Sequence, residues 1–212
     1  MDTISRSDVI RFFDLASEAM LSHKDYLTEL DAALGDGDLG LTMTTGFHKA
    51  AEAVHGTDEA DFGKLFMLAG MTMAKAVPST MGTLVASGFM KAAKALKGTP
   101  SMGLPELFSF VDEFVIGIME RGKARPGDRT IIDSLYPAAR FLEKAADQGL
   151  SLPEAAKGAF AAAEDGLEAT KNMKAAFGRG VFFGDQVLGK PDQGAAVGVY
   201  LIEAWKKTIC GE

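Results

Sequence analysis

Hydrophobic residues recur along this chain with the spacing of amphipathic helices. Near the N-terminus, Val9, Phe13, Ala16 and Met20 follow one another at i, i+4, i+7 and i+11, which places them on one face of a helix. Similar stripes recur in later segments, the last of them over residues 195–209. No segment of useful length alternates apolar and polar residues as a half-buried strand does. The pattern predicts an all-α fold of eight or nine helices with no strand of consequence.

Four polar, glycine-rich breaks interrupt the helical pattern. In an up-and-down bundle alternate connections lie at the same end, so we expect these breaks to converge on one site. Helix caps are predicted at Ser7, for the first helix, and at Asp128, for the helix after the third break. The longest break separates the last two helices, and long loops in compact bundles are usually functional or mobile. The four breaks are residues 35–40, 78–83, 122–130 and 178–194.

The first break carries three carboxylates within eight residues: Asp31, Asp36 and Asp38. Asp31 follows Leu27 by four residues, so it leans toward the buried side of its helix, where an unpaired carboxylate is costly. Carboxylates this close repel one another unless a cation lies among them. The cluster therefore suggests a hard metal ion.

Three other interpretations of the first break were weighed. Residues 35–40 match G-x-G-x-x-G, but a dinucleotide site needs a preceding strand and no acid facing the pyrophosphate. An EF-hand loop starting at Asp36 would place Gly40 and Phe47 where oxygen ligands are required. A helix C-cap at Gly35 followed by an aspartate N-cap explains one aspartate, not three. Spacing alone leaves metal binding and capping both open.

Composition and charge narrow the class of protein. The 212 residues are enough for one domain with a sizeable core, and residues 1–212 are expected to form a single domain. A net charge of −7 without a basic stripe argues against a nucleic-acid partner. We expect no membrane span and no signal peptide, because charges interrupt every long apolar run. One cysteine, Cys210, excludes an internal disulfide framework, so the cytoplasm is the expected compartment.

Several segments resemble one known family in order and spacing. They resemble the nucleotide-binding subunit of dihydroxyacetone kinase, DhaL, which also forms the C-terminal domain of single-chain ATP-dependent kinases. The resemblance implies a closed barrel of about eight antiparallel amphipathic helices that binds ADP or ATP at one end, with the phosphates held through two Mg²⁺. The matching segments are residues 30–41, 78–84, 126–130 with Asp133, 178–179 and 192–194.

The resemblance also implies roles for individual residues. Asp31, Asp36 and Asp38 would be the metal ligands and the catalytic centre. Asp192, Gln193 and Gly194 would close over the nucleotide. Backbone amides would contact the phosphates at Leu39, Gly40, Leu41, Thr42, Thr80, Met81 and Gly82, and the nucleoside pocket would be lined by Gly122, Ile131 and Arg179.

The implied activity is phosphoryl transfer to dihydroxyacetone or a similar ketose that a separate DhaK-like subunit holds. The phosphoryl donor, ATP or a phosphotransferase-system protein, and a homodimeric state are both left open. This sequence departs from the family at four of these positions. The family commonly has histidine in place of Leu39, asparagine in place of Thr42, serine in place of Met81 and methionine in place of Ile131. These departures motivate one alternative, a non-catalytic nucleotide-binding regulatory subunit. A structural divalent-ion site that stabilises the barrel is a further alternative.

Overall fold

The computed structural model describes residues 2–212. Within that range the chain forms nine α-helices and two 3₁₀ segments, and its only β-pairing is an isolated bridge between Ile4 and Met102. The expected all-α fold is confirmed. The helices are α1 (Arg6–Ser22), α2 (Lys24–Ala32), α3 (Leu39–His55), α4 (Phe62–Ala76), α5 (Thr80–Ala95), α6 (Leu104–Gly122), α7 (Ile132–Asp147), α8 (Leu152–Ala169) and α9 (Gln193–Cys210), and the 3₁₀ segments are Thr170–Asn172 and Arg179–Val187.

The long helices form a closed ring. Helices α3 to α9 each pack on the next along the chain, α1 packs on α3, and α9 returns to pack on α1. The closing pair is antiparallel: Arg11, early in α1, bonds the C-terminal Glu212, whereas His23 at the end of α1 stacks on Tyr200. The barrel is therefore closed by side-chain contacts between its first and last helices.

Aromatic side chains fill the interior of the barrel. The Phe12 ring stacks on Trp205 at a centroid distance of 4.1 Å, which joins α1 to α9. Phe66 and Phe110 lie 4.3 Å apart, and Phe89 packs against both. All five side chains are buried. Burying one large apolar side chain contributes roughly 1.5–3 kcal/mol, so this cluster is a major source of the barrel's stability.

Two of the predicted helix caps are wrong. The N-cap of α1 is Ser5, not Ser7, since the Ser5 amide donates to the Asp8 carboxylate at 2.8 Å in a capping box. Asp128 does not cap α7, which begins at Ile132. Asp128 instead accepts from the amide of Arg125 inside the preceding turn. Local sequence favoured each cap, but the turn geometry selected a different residue.

The connections at one end of the barrel are those that the sequence marked as breaks. They join α2 to α3, α4 to α5, α6 to α7 and α8 to α9. The last connection is not wholly irregular, because residues 179–187 form 3₁₀ turns kinked at Gly184. Within residues 2–212, no helix is both long and apolar enough to cross a bilayer.

Candidate functional site

The four connections converge on one cleft of about 490 Å³ at this end of the barrel. This convergence was expected from the alternation of the helices, and the structure confirms it. The cleft is lined by Asp31, Leu34, Gly35, Asp36, Asp38 and Leu39 from the first connection, Pro78 to Met81 and Leu84 from the second, Arg129 to Ile131 from the third, and Phe177 to Arg179 with Asp192 to Gly194 from the fourth.

The three predicted metal ligands form a tight cluster on the cleft wall. One carboxylate oxygen each from Asp31, Asp36 and Asp38 lies within 4.8 Å of the other two. Asp31 is buried in the last turn of α2, whereas Asp36 and Asp38 are exposed. The Asp31 carboxylate accepts from the amides of Asp38 at 3.0 Å and of Leu39 at 3.3 Å. Asp31 therefore ties the corner to the start of α3 and fixes its shape.

Glycine is required at two points of this corner. A Cβ atom at Gly35 would lie 2.5 Å from the Asp31 carboxylate oxygen Oδ1, so any side chain there would displace that carboxylate. Gly37 has φ of +73°, a left-handed conformation that residues other than glycine rarely adopt. These glycines allow three carboxylates to face one point.

The electrostatics of the cluster fit a divalent cation. Burial, with the charges of Asp36 and Asp31, raises the pKa of Asp38 above its ordinary value. Two donors offset the negative charge: Arg179 reaches Asp36 at 2.9 Å, and Gln193 reaches Asp31 at 3.3 Å. Mg²⁺ is held by one or two carboxylates together with phosphate oxygens, so this oxygen set suits a metal–phosphate complex.

The N-terminus of α5 faces the same cleft. Ser79 caps this helix and accepts from the Gly82 amide at 3.0 Å. Thr80 and Met81, in the first turn, line the cleft. The first amides of a helix lack intrahelical acceptors and favour anions. Thr80 and Met81 can therefore receive a phosphate, whereas the Gly82 amide already has its partner.

The start of α3 contributes less to the cleft than the sequence predicted. Only Leu39, of residues 39–42, lines the cleft, and its amide already donates to Asp31. Gly40 is a packing glycine, because a Cβ there would clash with the Lys24 carbonyl oxygen of α2. Leu41 is 58% exposed, and the Thr42 amide donates to the Asp38 carbonyl. Phosphate contacts by these four residues remain a prediction.

A second, adjoining cleft of about 480 Å³ extends from the first. It contains two of the residues predicted for the nucleoside, Gly122 and the buried Ile131, together with Leu84 and Phe177. Leu84, Ile131 and Phe177 line both spaces. Arg179, the third predicted nucleoside residue, lies instead beside the aspartates. The three carboxylates line only the first space, whereas Ile118, Gly122 and Ile132 line only the second.

A buried ion pair supports the floor of the cleft. The Arg129 guanidinium lies 3.6 Å from the Asp192 carboxylate and donates to the carbonyls of Lys190 at 3.0 Å and Val187 at 3.3 Å. Burial raises the pKa of Asp192 to about 6, although Arg129 and the Ala195 amide act in the opposite direction. Asp192 is the N-cap of α9. Asp192 therefore supports the cleft by fixing the start of α9. The next two residues, Gln193 and Gly194, line the cleft.

Arg129 and Phe177 also line the cleft, although no pattern in the sequence predicted their roles. Arg129 is 3% exposed with φ of +60°, and nothing in its local sequence marks an arginine as buried. Phe177 directly precedes the longest break, and the available signal was an aromatic residue next to a glycine-rich loop.

Several known proteins are similar to this chain in sequence or in fold. The DAK2 domain family matches residues 33–207. The ADP-binding subunit DhaL of the PEP-dependent dihydroxyacetone kinase of Escherichia coli (strain K12) is 31% identical over 95% of this chain and 96% of its own length. The ADP-binding subunit DhaL of PEP-dependent dihydroxyacetone kinase 1 from Listeria innocua is 30% identical over 97% of this chain and 98% of its own length. The crystal structure of the C. freundii dihydroxyacetone kinase in complex with AMP-PNP and Mg²⁺ is similar to this chain, with a TM-score of 0.72 and 25% sequence identity. The match covers 94% of this chain and 33% of the C. freundii protein.

Proposed function

This chain belongs to the DAK2 domain family, and we therefore propose that it is the nucleotide-binding subunit of a kinase for dihydroxyacetone or a similar small ketose. The observation that carries the proposal is the triad of Asp31, Asp36 and Asp38 at the edge of a two-part cleft. An acidic wall beside an apolar pocket suits a metal-bound ADP or ATP better than a free anion.

The cleft offers a separate partner for each part of a nucleotide. Thr80 and Met81, at the N-terminus of α5, would hold phosphate oxygens, and Arg179 would add a cationic contact. Ile131 and Phe177 would enclose the nucleoside in the second space. These groups come from three of the four connections, so the barrel end would orient the nucleotide from several sides.

The proposed chemistry depends on positioning and charge. Mg²⁺, two ions in our proposal, would neutralise the phosphate oxygens and the charge that develops on them during transfer. Asp31, Asp36 and Asp38 would hold the metal, and the amides of α5 would fix the phosphate chain in line with the acceptor hydroxyl. No covalent phosphoryl-protein intermediate on this chain is invoked.

A partner subunit would supply the ketose. The E. coli and Listeria relatives are named as subunits of PEP-dependent kinases, so we propose a DhaK-like partner that covers the cleft. The donor would be ATP, or a phosphotransferase protein that rephosphorylates bound ADP. Turnover with ATP alone, compared with turnover that needs a phosphotransferase protein, separates these two donors.

The test is calorimetric titration of ADP with Mg²⁺ and with EDTA. We expect binding that depends on Mg²⁺, and a loss of more than about tenfold, or 1.4 kcal/mol, in the double variant Asp36→Asn with Asp38→Asn. Asp147→Asn is the matched control, because it removes a carboxylate at the C-terminal end of α7, away from the cleft. Equal affinity in the double variant and the wild type would refute the metal site.

A second candidate is the non-catalytic regulatory subunit. The buried Leu39 beside Asp31 favours it, because this side chain offers the cleft no polar group. Phosphorylation of dihydroxyacetone by the purified pair of subunits distinguishes the two functions. A regulatory subunit would bind Mg·ADP but give no turnover with either donor.

A further inference from the structure

The side chain of Gln193 connects the last helix to the aspartate corner. Its amide nitrogen Nε2 donates to Asp31 Oδ1 at 3.3 Å, across 162 residues of sequence. Its carbonyl oxygen Oε1 is buried and has no hydrogen-bond partner among the residues that the structure describes. One end of the same amide is therefore attached to a metal-site carboxylate, and the other end is an unused acceptor in the cleft wall.

The backbone of Gln193 is held firmly. Gln193 is the first residue of α9, and the preceding Asp192 accepts from the Ala195 amide at 2.9 Å as the N-cap. The Asp192 amide in turn donates to the Thr170 hydroxyl at 2.9 Å. Arg129 fixes the residues just before this point through the Lys190 carbonyl. The position of the Gln193 amide is consequently set by the fold rather than by a mobile loop.

An unpaired buried acceptor requires an explanation. Leaving such a group unsatisfied costs about 1–3 kcal/mol, and the Gln193 carbonyl is attached to an amide that already contacts Asp31. Mg²⁺ usually retains several of its own waters when proteins bind it. A water of that hydration shell next to the Asp31 carboxylate would be a strong donor for the unpaired Gln193 carbonyl oxygen.

We propose that Gln193 is a positioning residue of the divalent-cation site. Its NH₂ group orients the Asp31 carboxylate, and its carbonyl accepts a hydrogen bond from a water in the hydration shell of the ion. The inference rests on the proposed function, because it requires a cation at the aspartate triad. It extends that function by adding α9 to a site whose carboxylates all come from the α2–α3 corner.

Mn²⁺ titration in the absence of nucleotide tests this role. Mn²⁺ prefers the same oxygen ligands as Mg²⁺, and its free concentration is measured by electron paramagnetic resonance. Gln193→Met keeps the length of the side chain but removes both polar ends, and we expect it to weaken Mn²⁺ binding by about 10- to 100-fold, the usual effect of losing a group that orients metal ligands. Gln186→Met, an exposed glutamine in the preceding loop, is the matched control and should bind Mn²⁺ as the wild type does.

A second variant separates this role from a general effect on folding. Gln193→Glu keeps an acceptor oxygen but loses the NH₂ donor to Asp31, so its Mn²⁺ affinity should lie between those of the wild type and Gln193→Met. A merely structural glutamine would lose affinity equally in both variants. That result, or Mn²⁺ affinity in Gln193→Met within twofold of the wild type, would overturn the role of Gln193.

The same titration distinguishes failure of the inference from failure of the proposed function. Wild-type binding that the Asp36→Asn and Asp38→Asn changes abolish, but that Gln193→Met leaves intact, would refute the inference alone. Absence of Mn²⁺ binding in the wild type, together with no Mg²⁺-dependent ADP binding, would refute both.

Discussion

The Arg179 guanidinium donates to the Asp36 carboxylate at 2.9 Å, across 143 residues of sequence. Both side chains are substantially exposed, 63% for Arg179 and 49% for Asp36. The pair brings the long α8–α9 connection against the α2–α3 corner that carries the three aspartates. An exposed ion pair adds about 0–1 kcal/mol to stability. The importance of this pair is that it places the positive charge of Arg179 beside the aspartates.

Arg179→Gln should therefore change binding more than stability. We expect the free energy of unfolding to fall by less than about 1 kcal/mol. Affinity for Mg·ADP should fall by about tenfold, since a charged hydrogen bond contributes roughly 1.5–3 kcal/mol. Urea unfolding and calorimetry measure the two quantities. Lys174→Gln, which breaks an exposed ion pair to Asp185 in the same connection, is the control and should leave affinity unchanged.

Phe177→Ala should weaken nucleotide binding by removing a contact to the base, without changing the contacts to the phosphates. Phe177 is 40% exposed and lines both halves of the cleft, and stacking of a base on an aromatic ring contributes about 1–3 kcal/mol. We expect ADP affinity to fall about tenfold or more, which corresponds to 1.4 kcal/mol, while Mg²⁺-dependent binding of inorganic pyrophosphate is unchanged.

Phe182→Ala is the control for this prediction. Phe182 lies in the same connection but is 88% exposed and does not line either cleft, so ADP binding should be unaffected. A parallel loss of pyrophosphate binding in Phe177→Ala would show that Phe177 shapes the phosphate site instead.

Arg129→Met should destabilise the protein severely. The substitution leaves the Asp192 carboxylate buried without its cation and removes the donors to Val187 and Lys190. Breaking a buried pair in this way costs about 3–5 kcal/mol. Urea unfolding checks the value, and Arg125→Met, an exposed arginine in the same turn, should cost far less. A loss below 1 kcal/mol would mean that Arg129 does not anchor the connection.

Asp192 should make stability depend on pH. Its pKa is raised to about 6 in the folded protein from an ordinary value of 3.8, so the folded state binds more protons than the unfolded state between these values. The contribution of this group to stability is therefore present below about pH 4 and is lost as the pH rises through about 6.

The variant Asp192→Asn measures this contribution. Relative to the wild type, its free energy of unfolding should rise between pH 4 and pH 7, by up to about 3 kcal/mol, since each pKa unit corresponds to about 1.4 kcal/mol. Urea unfolding at several pH values gives the difference curve. A flat curve would show that Asp192 does not titrate in this window.

Local sequence was sufficient for the helical elements and for the position of the three clustered aspartates. The apolar stripe through Val9, Phe13 and Met20 predicted α1, because a 3.6-residue repeat is a property of consecutive residues. The three carboxylates of the first break lie within eight residues. One turn of the chain between α2 and α3 is therefore enough to bring them together. The two wrong caps, Ser7 and Asp128, show that local sequence does not determine which residue begins a helix.

The sequence by itself determined the helices, the breaks and the aspartate triad, because neighbours along the chain specify each of these. Only the tertiary structure decided which contacts distant side chains make at the site. Arg179 meets Asp36 and Gln193 meets Asp31 because closing the barrel brings the α8–α9 connection over the α2–α3 corner. The same closure buries Arg129. Contacts between residues more than a hundred positions apart depend on how the helices pack, and no local pattern records that packing.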